Sequence, residues 1–185
     1  IRDSVHGNIF VPQKFMAVVD CPAFQRLRDI KQLATADRIY PEATHTRFAH
    51  SLGVFHITSM ILERLEKLFA ALKLAVNSDD KDKLLLAALL HDIGHGPYSH
   101  VFEDIYSGSV SNGFGHEKMT CEIIRHDPAL SDAINLNFGC NFNNEVADII
   151  EYHMTSSKPR KSSNLLINVY QDLIMSNLDA YLLDL

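Results

Sequence analysis

The sequence predicts an all-helical bundle with a small extended element at its N-terminus. Leu84 to Leu90 are seven consecutive apolar residues, Leu and Ala rather than β-branched, the mark of a helix buried on nearly all sides. From His50 onward, Val54, Ile57, Ile61, Leu65, Leu68 and Leu72 recur at helical spacing, which predicts a second long helix with a buried stripe and His50 at its N-terminal end. Ahead of both, Ile9-Phe10-Val11 before Pro12 reads as an extended segment or hairpin arm.

The remaining elements follow from caps and breakers. A short helix is expected over Pro12 to Val19. A second begins at Asp20 or Cys21 with Pro22 in its first turn, places Phe24, Leu27, Ile30 and Leu33 inward, and exposes Gln25, Arg26, Arg28 and Lys31. The polar stretch 34–46, with Tyr40-Pro41-Glu42, loops back over the mouth of any site. Asn77 to Lys83 is a charged turn between the two long helices. Past Gly94-His95-Gly96-Pro97, which breaks the apolar helix, His100 opens another, and the Gly/Ser-rich run 107–115 reads as a lid loop. A helix is expected from His116 through Ile124, a loop over the Asn-rich residues 129–144, an amphipathic helix from Glu145 to Met154, a basic loop over 155–164 and a last helix from Leu165 to Leu185. His126-Asp127 precedes Pro128 and lacks an apolar lead-in, so it reads as a helix-ending turn.

A length of 185 residues suits one domain, expected here as part of a longer protein because the chain starts without Met and stops mid-helix by pattern. The net charge of −6 advertises no general nucleic-acid surface. Cys21, Cys121 and Cys140 form no C-x-x-C pair, which fits buried free thiols in a reducing compartment. No apolar run reaches 18 residues, so a soluble, cytoplasmic protein is expected, with the nucleus as the alternative in a eukaryote.

The chemistry concentrates where the apolar run ends. Adjacent His91 and Asp92 at the end of a buried helix are costly to desolvate unless something pairs with both, and a divalent cation does so. Two packed helices bring His50 to them, and a further carboxylate comes from later in the chain. A mixed nitrogen and oxygen set suits iron, manganese, zinc or nickel better than calcium. Six of the ten histidines (His45, His50, His91, His95, His100, His116) fall in motif-like surroundings. His95 lies one helical turn past His91, and His116-Glu117 open a helix, so the three form a candidate proton-transfer group. Arg47, three residues before His50, is placed to grip phosphate oxygens; the alternative for it is a structural salt bridge. His45 reads as a loop histidine.

The segments IRDSVHGNI (1–9), DCPAFQRLRDIKQL (20–33), THTRFAHSLGV (44–54), HDIGHGPYSH (91–100) and GHEKMT (115–120), in this order, resemble the HD-domain metal-dependent phosphohydrolases, in particular the deoxynucleoside triphosphate triphosphohydrolase branch. The resemblance implies an HD-type helical bundle over residues 1–185 and a single transition-metal ion, with Mg alongside, held by His50, His91, Asp92 and a late carboxylate, taken as Asp179. It implies phosphate contacts from Arg47 and His100, a sugar contact from Gln32, and hydrolysis of a deoxynucleoside triphosphate to deoxynucleoside and triphosphate. It also implies a homo-oligomer, with Asp20, Gln25 and Arg28 at an activating guanine-nucleotide site; a charged, solvated helix face is the alternative for these three. The C-terminal pattern departs from the family: LDAYLLDL puts Tyr181 at the usual ligand position and Leu185 at the usual tyrosine. Two other functions stay open: hydrolysis of another nucleotide or phosphoester, and a degenerate module that binds nucleotide, nucleic acid or protein without turnover.

Overall fold

The structure, a computed structural model, describes residues 1–73, 77–98 and 115–155, with side chains to 151. The expected helix at His100, lid at 107–115 (save Gly115), basic loop and last helix, and with them His100, Asp179 and Tyr181, lie outside the described residues.

The chain opens with a hairpin, β1 (Arg2–Asp3) and β2 (Gly7–Asn8), antiparallel with Arg2 opposite Asn8 and Asp3 opposite Gly7. Asp3 Oδ1 accepts the Val5 and His6 amides at 2.8 and 2.9 Å, and Gly7 takes the positive φ of 74° that the turn requires. The pairing ends at Ile9, which is buried. Helix α1 (Gln13–Val19) follows, then α2 (Pro22–Gln25), which tightens at once into a 3-10 turn, Arg26–Asp29.

Here the expected helix is shortened. Ile30 is extended (φ −110°, ψ 111°), and Leu33 is exposed rather than inward. Residues 30–32 instead pair with the segment before the next helix: Lys31 bridges Thr46, Gln32 N donates to His45 O, and Arg47 N donates to Ile30 O. Backbone pairing across the loop won over continued helix, and it pins 34–46 at both ends.

Helix α3 (Arg47–Ala71) starts at Thr46, whose hydroxyl accepts the Ala49 amide. Its buried face runs Phe48, Ser51, Phe55, Thr58, Leu62 and Phe69, while Leu68 and Leu72 are exposed. The stripe read from hydropathy is therefore rotated in its C-terminal half, because small polar residues, Ser51 and Thr58, occupy seam positions and interrupt the apolar signal. Helix α4 (Ser78–Leu90), capped by Asn77, packs against α3, and Leu84 to Leu90 are all buried as expected. Helices α5 (His116–His126), α6 (Pro128–Phe138) and α7 (Phe142–Thr155) complete the described bundle, α7 packing on both α4 and α5 and α6 on α1.

Helix α6 replaces the loop expected over 129–144. Asp127 accepts the Leu130 amide, Pro128 occupies the first turn, and Leu130 and Ile134 are fully buried. The His126-Asp127 pair thus ends one helix, as read from the sequence, and Asp127 also caps the next. Among the described residues no helix is long and apolar enough to cross a membrane.

Candidate metal centre

Packing of α3 on α4 carries His50, in the first turn of α3, to the end of α4, where the chain turns through His91–Gly94. The His50 and His91 rings meet edge to face with centroids 5.3 Å apart. His50, His91 and Asp92 each offer one donor atom, and the three atoms lie within 4.8 Å of one another. Their side chains are 4, 9 and 7% exposed, so the cluster is largely withdrawn from solvent. His91 Nδ1 lies 2.7 Å from the Ala88 carbonyl, which can only accept, so a neutral His91 ring keeps its Nε2 lone pair for a cation. Donor types and spacing therefore fit one small ion, and the expected convergence of the two imidazoles with a carboxylate is present.

Asp92 is the hub. Its Oδ1 lies 3.3 Å from His91 Nε2 and 3.4 Å from His95 Nε2, and its Oδ2 pairs with Arg47 Nη1 and lies 4.0 Å from His50 Nε2. Burial works against the charged form, but the His91 and His95 imidazoles and the Arg47 guanidinium hold the Asp92 carboxyl well below its ordinary pKa. Burial likewise opposes charge on His91, yet Asp92 outweighs it and raises that pKa; on His95 burial wins and the pKa falls. Two adjacent imidazoles around one carboxylate are thus pushed in opposite directions. Arg47 is 2% exposed and stands in the salt bridge that was the alternative to a phosphate contact.

The proton-transfer candidates are partly assembled. His95 and His116 stack at 3.9 Å with an interplanar angle of 16°. Glu117, on the same first turn of α5, is exposed and has no side-chain partner among the described residues. Gln32 is half-buried, its Oε1 without a hydrogen bond among the described residues. Of the three residues read as a nucleotide-activator site, Gln25 and Arg28 bond each other at 2.7 Å; Arg28 also lies over the Phe48 ring, and Asp20 is exposed. A cleft of about 450 Å³ opens between the hairpin turn and residues 42–46, with His45 and His50 in its wall.

Three residues that support the centre escape the sequence reading. Arg26, assigned to a solvated helix face, reaches inward: Nη1 donates to His95 O at 2.8 Å and Nη2 to Ile93 O. Thr120, fully buried on α5, donates to His91 O at 3.0 Å and accepts the Gly94 amide at 2.9 Å. Gly94 is pressed against α5, where an added Cβ would stand 2.1 Å from His116 O. A periodic Thr or an Arg on a polar stretch carries no hint of such long-range bonds. Thr120→Val keeps the shape and removes both bonds, and should cost about 1–3 kcal/mol, read as a lower midpoint in urea unfolding with unchanged slope.

A helical bundle with histidines from two packed helices and a His-Asp pair at the end of its most buried segment is a metal-site protein of the HD type. The family model described as "HD domain" matches residues 47–179, and the chain belongs to that family. It is 38% identical over 125 residues to the deoxynucleoside triphosphate triphosphohydrolase SAMHD1 homolog of Dictyostelium discoideum, covering 67% of this chain and 24% of that protein. It is 34% identical over 190 residues to an uncharacterized protein of Mycoplasma pneumoniae, covering 99% of this chain and 41% of that one. A crystallised phosphohydrolase of Bacteroides thetaiotaomicron superposes with a TM-score of 0.72 at 30% identity, over all of this chain and 40% of that one. The chain thus spans about a quarter to two-fifths of the length of these three relatives.

Proposed function

We propose that the domain is the metal-binding core of a phosphohydrolase that splits deoxynucleoside triphosphates into deoxynucleoside and triphosphate. The observation that carries the reading is the convergence of the His50 and His91 imidazoles with the Asp92 carboxylate in one buried cluster. The similarity to a protein named as a deoxynucleoside triphosphate triphosphohydrolase narrows the substrate class. In this reading His50, His91 and Asp92 hold a divalent transition metal, with Asp179 as the later carboxylate. When bound, such an ion neutralises charge on a phosphate oxygen and acidifies water.

The chain's own residues supply the rest. Hydrolysis to deoxynucleoside breaks the bond between the α-phosphorus and the 5′ oxygen, so a proton must reach that oxygen. The stacked His95–His116 pair is the group suited to hold and deliver it. Burial lowers the His95 pKa, which disfavours the protonated ring, so that a proton taken up there is readily given away. Glu117 sits at the rim of the same pair. Gln32, Arg47 and His100 orient the sugar and phosphates. Phe10, Ile39 and Tyr40 are exposed apolar side chains of the kind that a homo-oligomer would cover.

The test is a panel of deoxynucleoside and ribonucleoside triphosphates and monophosphates, with elemental analysis of the same preparation. Metal near one equivalent and release of triphosphate from deoxynucleotides are expected, both lost in His91→Ala. Release of orthophosphate from monophosphates would move the substrate to another phosphoester. Bound nucleotide with neither metal nor turnover would favour the binding module, the reading that Tyr181 at the usual ligand position supports.

A further inference from the structure

Arg47 and Asp92 form an ion pair whose side chains are 3 and 7% exposed. The carboxylate oxygen that Arg47 holds is also the one nearest His50, at 4.0 Å, and among the described residues Asp92 is the single acid in the cluster of candidate ligands. Two cationic partners therefore draw on one negative charge: the guanidinium that is paired with it, and any ion seated between the imidazoles. A buried guanidinium beside a divalent ion is unfavourable, since like charges repel strongly where water does not screen them.

We propose that Arg47 and the metal ion are rivals for Asp92, so that loading the centre opens the Arg47–Asp92 pair. The inference rests on the metal-centre reading and goes beyond it. While Arg47 holds Oδ2, only Oδ1 is open to an ion and the charge of the carboxylate is already neutralised, so the apparent metal affinity is reduced by the fraction of molecules in which the pair is open. One residue then has two duties in sequence: it neutralises Asp92 until an ion arrives, and afterwards its charge is available for an anionic phosphate. The phosphate-gripping charge would be released only in molecules that also carry the ion.

The measurement is the dissociation constant for Mn(II) alone, by titration calorimetry, on the chain as it stands and on Arg47→Gln and His91→Ala. Arg47→Gln should bind Mn(II) at least about tenfold more tightly, the gain expected where Asp92 is available in no more than about one molecule in ten. His91→Ala should bind far more weakly. Equal or weaker binding by Arg47→Gln, with a His91-dependent site in the parent, overturns the rivalry and leaves the metal centre standing. No His91-dependent binding in either the parent or Arg47→Gln overturns both. A second readout needs no variant: solvent protection of the Arg47 guanidinium protons, followed by NMR during Zn(II) titration, should be lost as the site fills, and persistent protection overturns the proposal.

Discussion

Asp92→Ala should be the most damaging single substitution in the described part of the chain, for stability as well as for metal binding. The carboxylate is shared by Arg47, His91 and His95, and its loss removes the ion-pair partner of a guanidinium that is 2% exposed. Removing one partner of a buried ion pair costs about 3–5 kcal/mol, because the other charge remains desolvated. For a domain of this size that is a fall of roughly 6–20 °C in the unfolding midpoint. The scan belongs in chelator, so that lost metal stabilisation does not enter. Adding Arg47→Met should restore part of the loss, since a pair replaced by apolar groups leaves no stranded charge. A single variant melting with the parent would show that the ion pair does not hold the centre together.

Gly94→Ala should separate the two halves of the site. An alanine Cβ there would stand 2.1 Å from His116 O and 2.3 Å from Thr120 N, and both are backbone atoms that cannot swing aside. The turn after α4 and the start of α5 must part, at a cost of about 1–3 kcal/mol. The same shift breaks the Thr120–Gly94 bond and opens the His95–His116 stack. The expected readouts are a lower unfolding midpoint, displaced ring resonances of His95 and His116, and metal affinity reduced by roughly 10–100-fold, as for other lost supports around a site. Unchanged ring resonances would mean that the helix does not press on this turn.

The part of the site that lies in line with strong hydropathy was legible. The Leu84–Leu90 run announces its own burial, and polar residues at its end must be satisfied there, which leads to His91 and Asp92 and from them to His50. What escaped is what hydropathy does not encode. Arg26 and Thr120 look like surface residues because their partners are backbone carbonyls and an amide up to 69 positions away. Leu33 looked inward because a helical period was continued past Ile30, where cross-loop pairing takes over. Helix α6 was hidden by Asn135 and Asn137, residues common in turns; yet Asn137 simply bonds back to the Ala133 carbonyl one turn earlier. For Arg47 the sequence left a phosphate contact and a salt bridge as alternatives, and the pair with Asp92 depends on how closely α3 meets α4.

The reach of Arg26 from the first 3-10 turn to the carbonyls of Ile93 and His95 has a practical corollary. The family match begins at residue 47, but Phe15, Phe24 and Leu27 before it are as buried as anything in α4. Trimming the chain to the matched boundary would remove a brace from the turn at His91–His95 and uncover aromatic and aliphatic rings. The excised piece should be sticky and poorly folded, even though every proposed ligand is still in it.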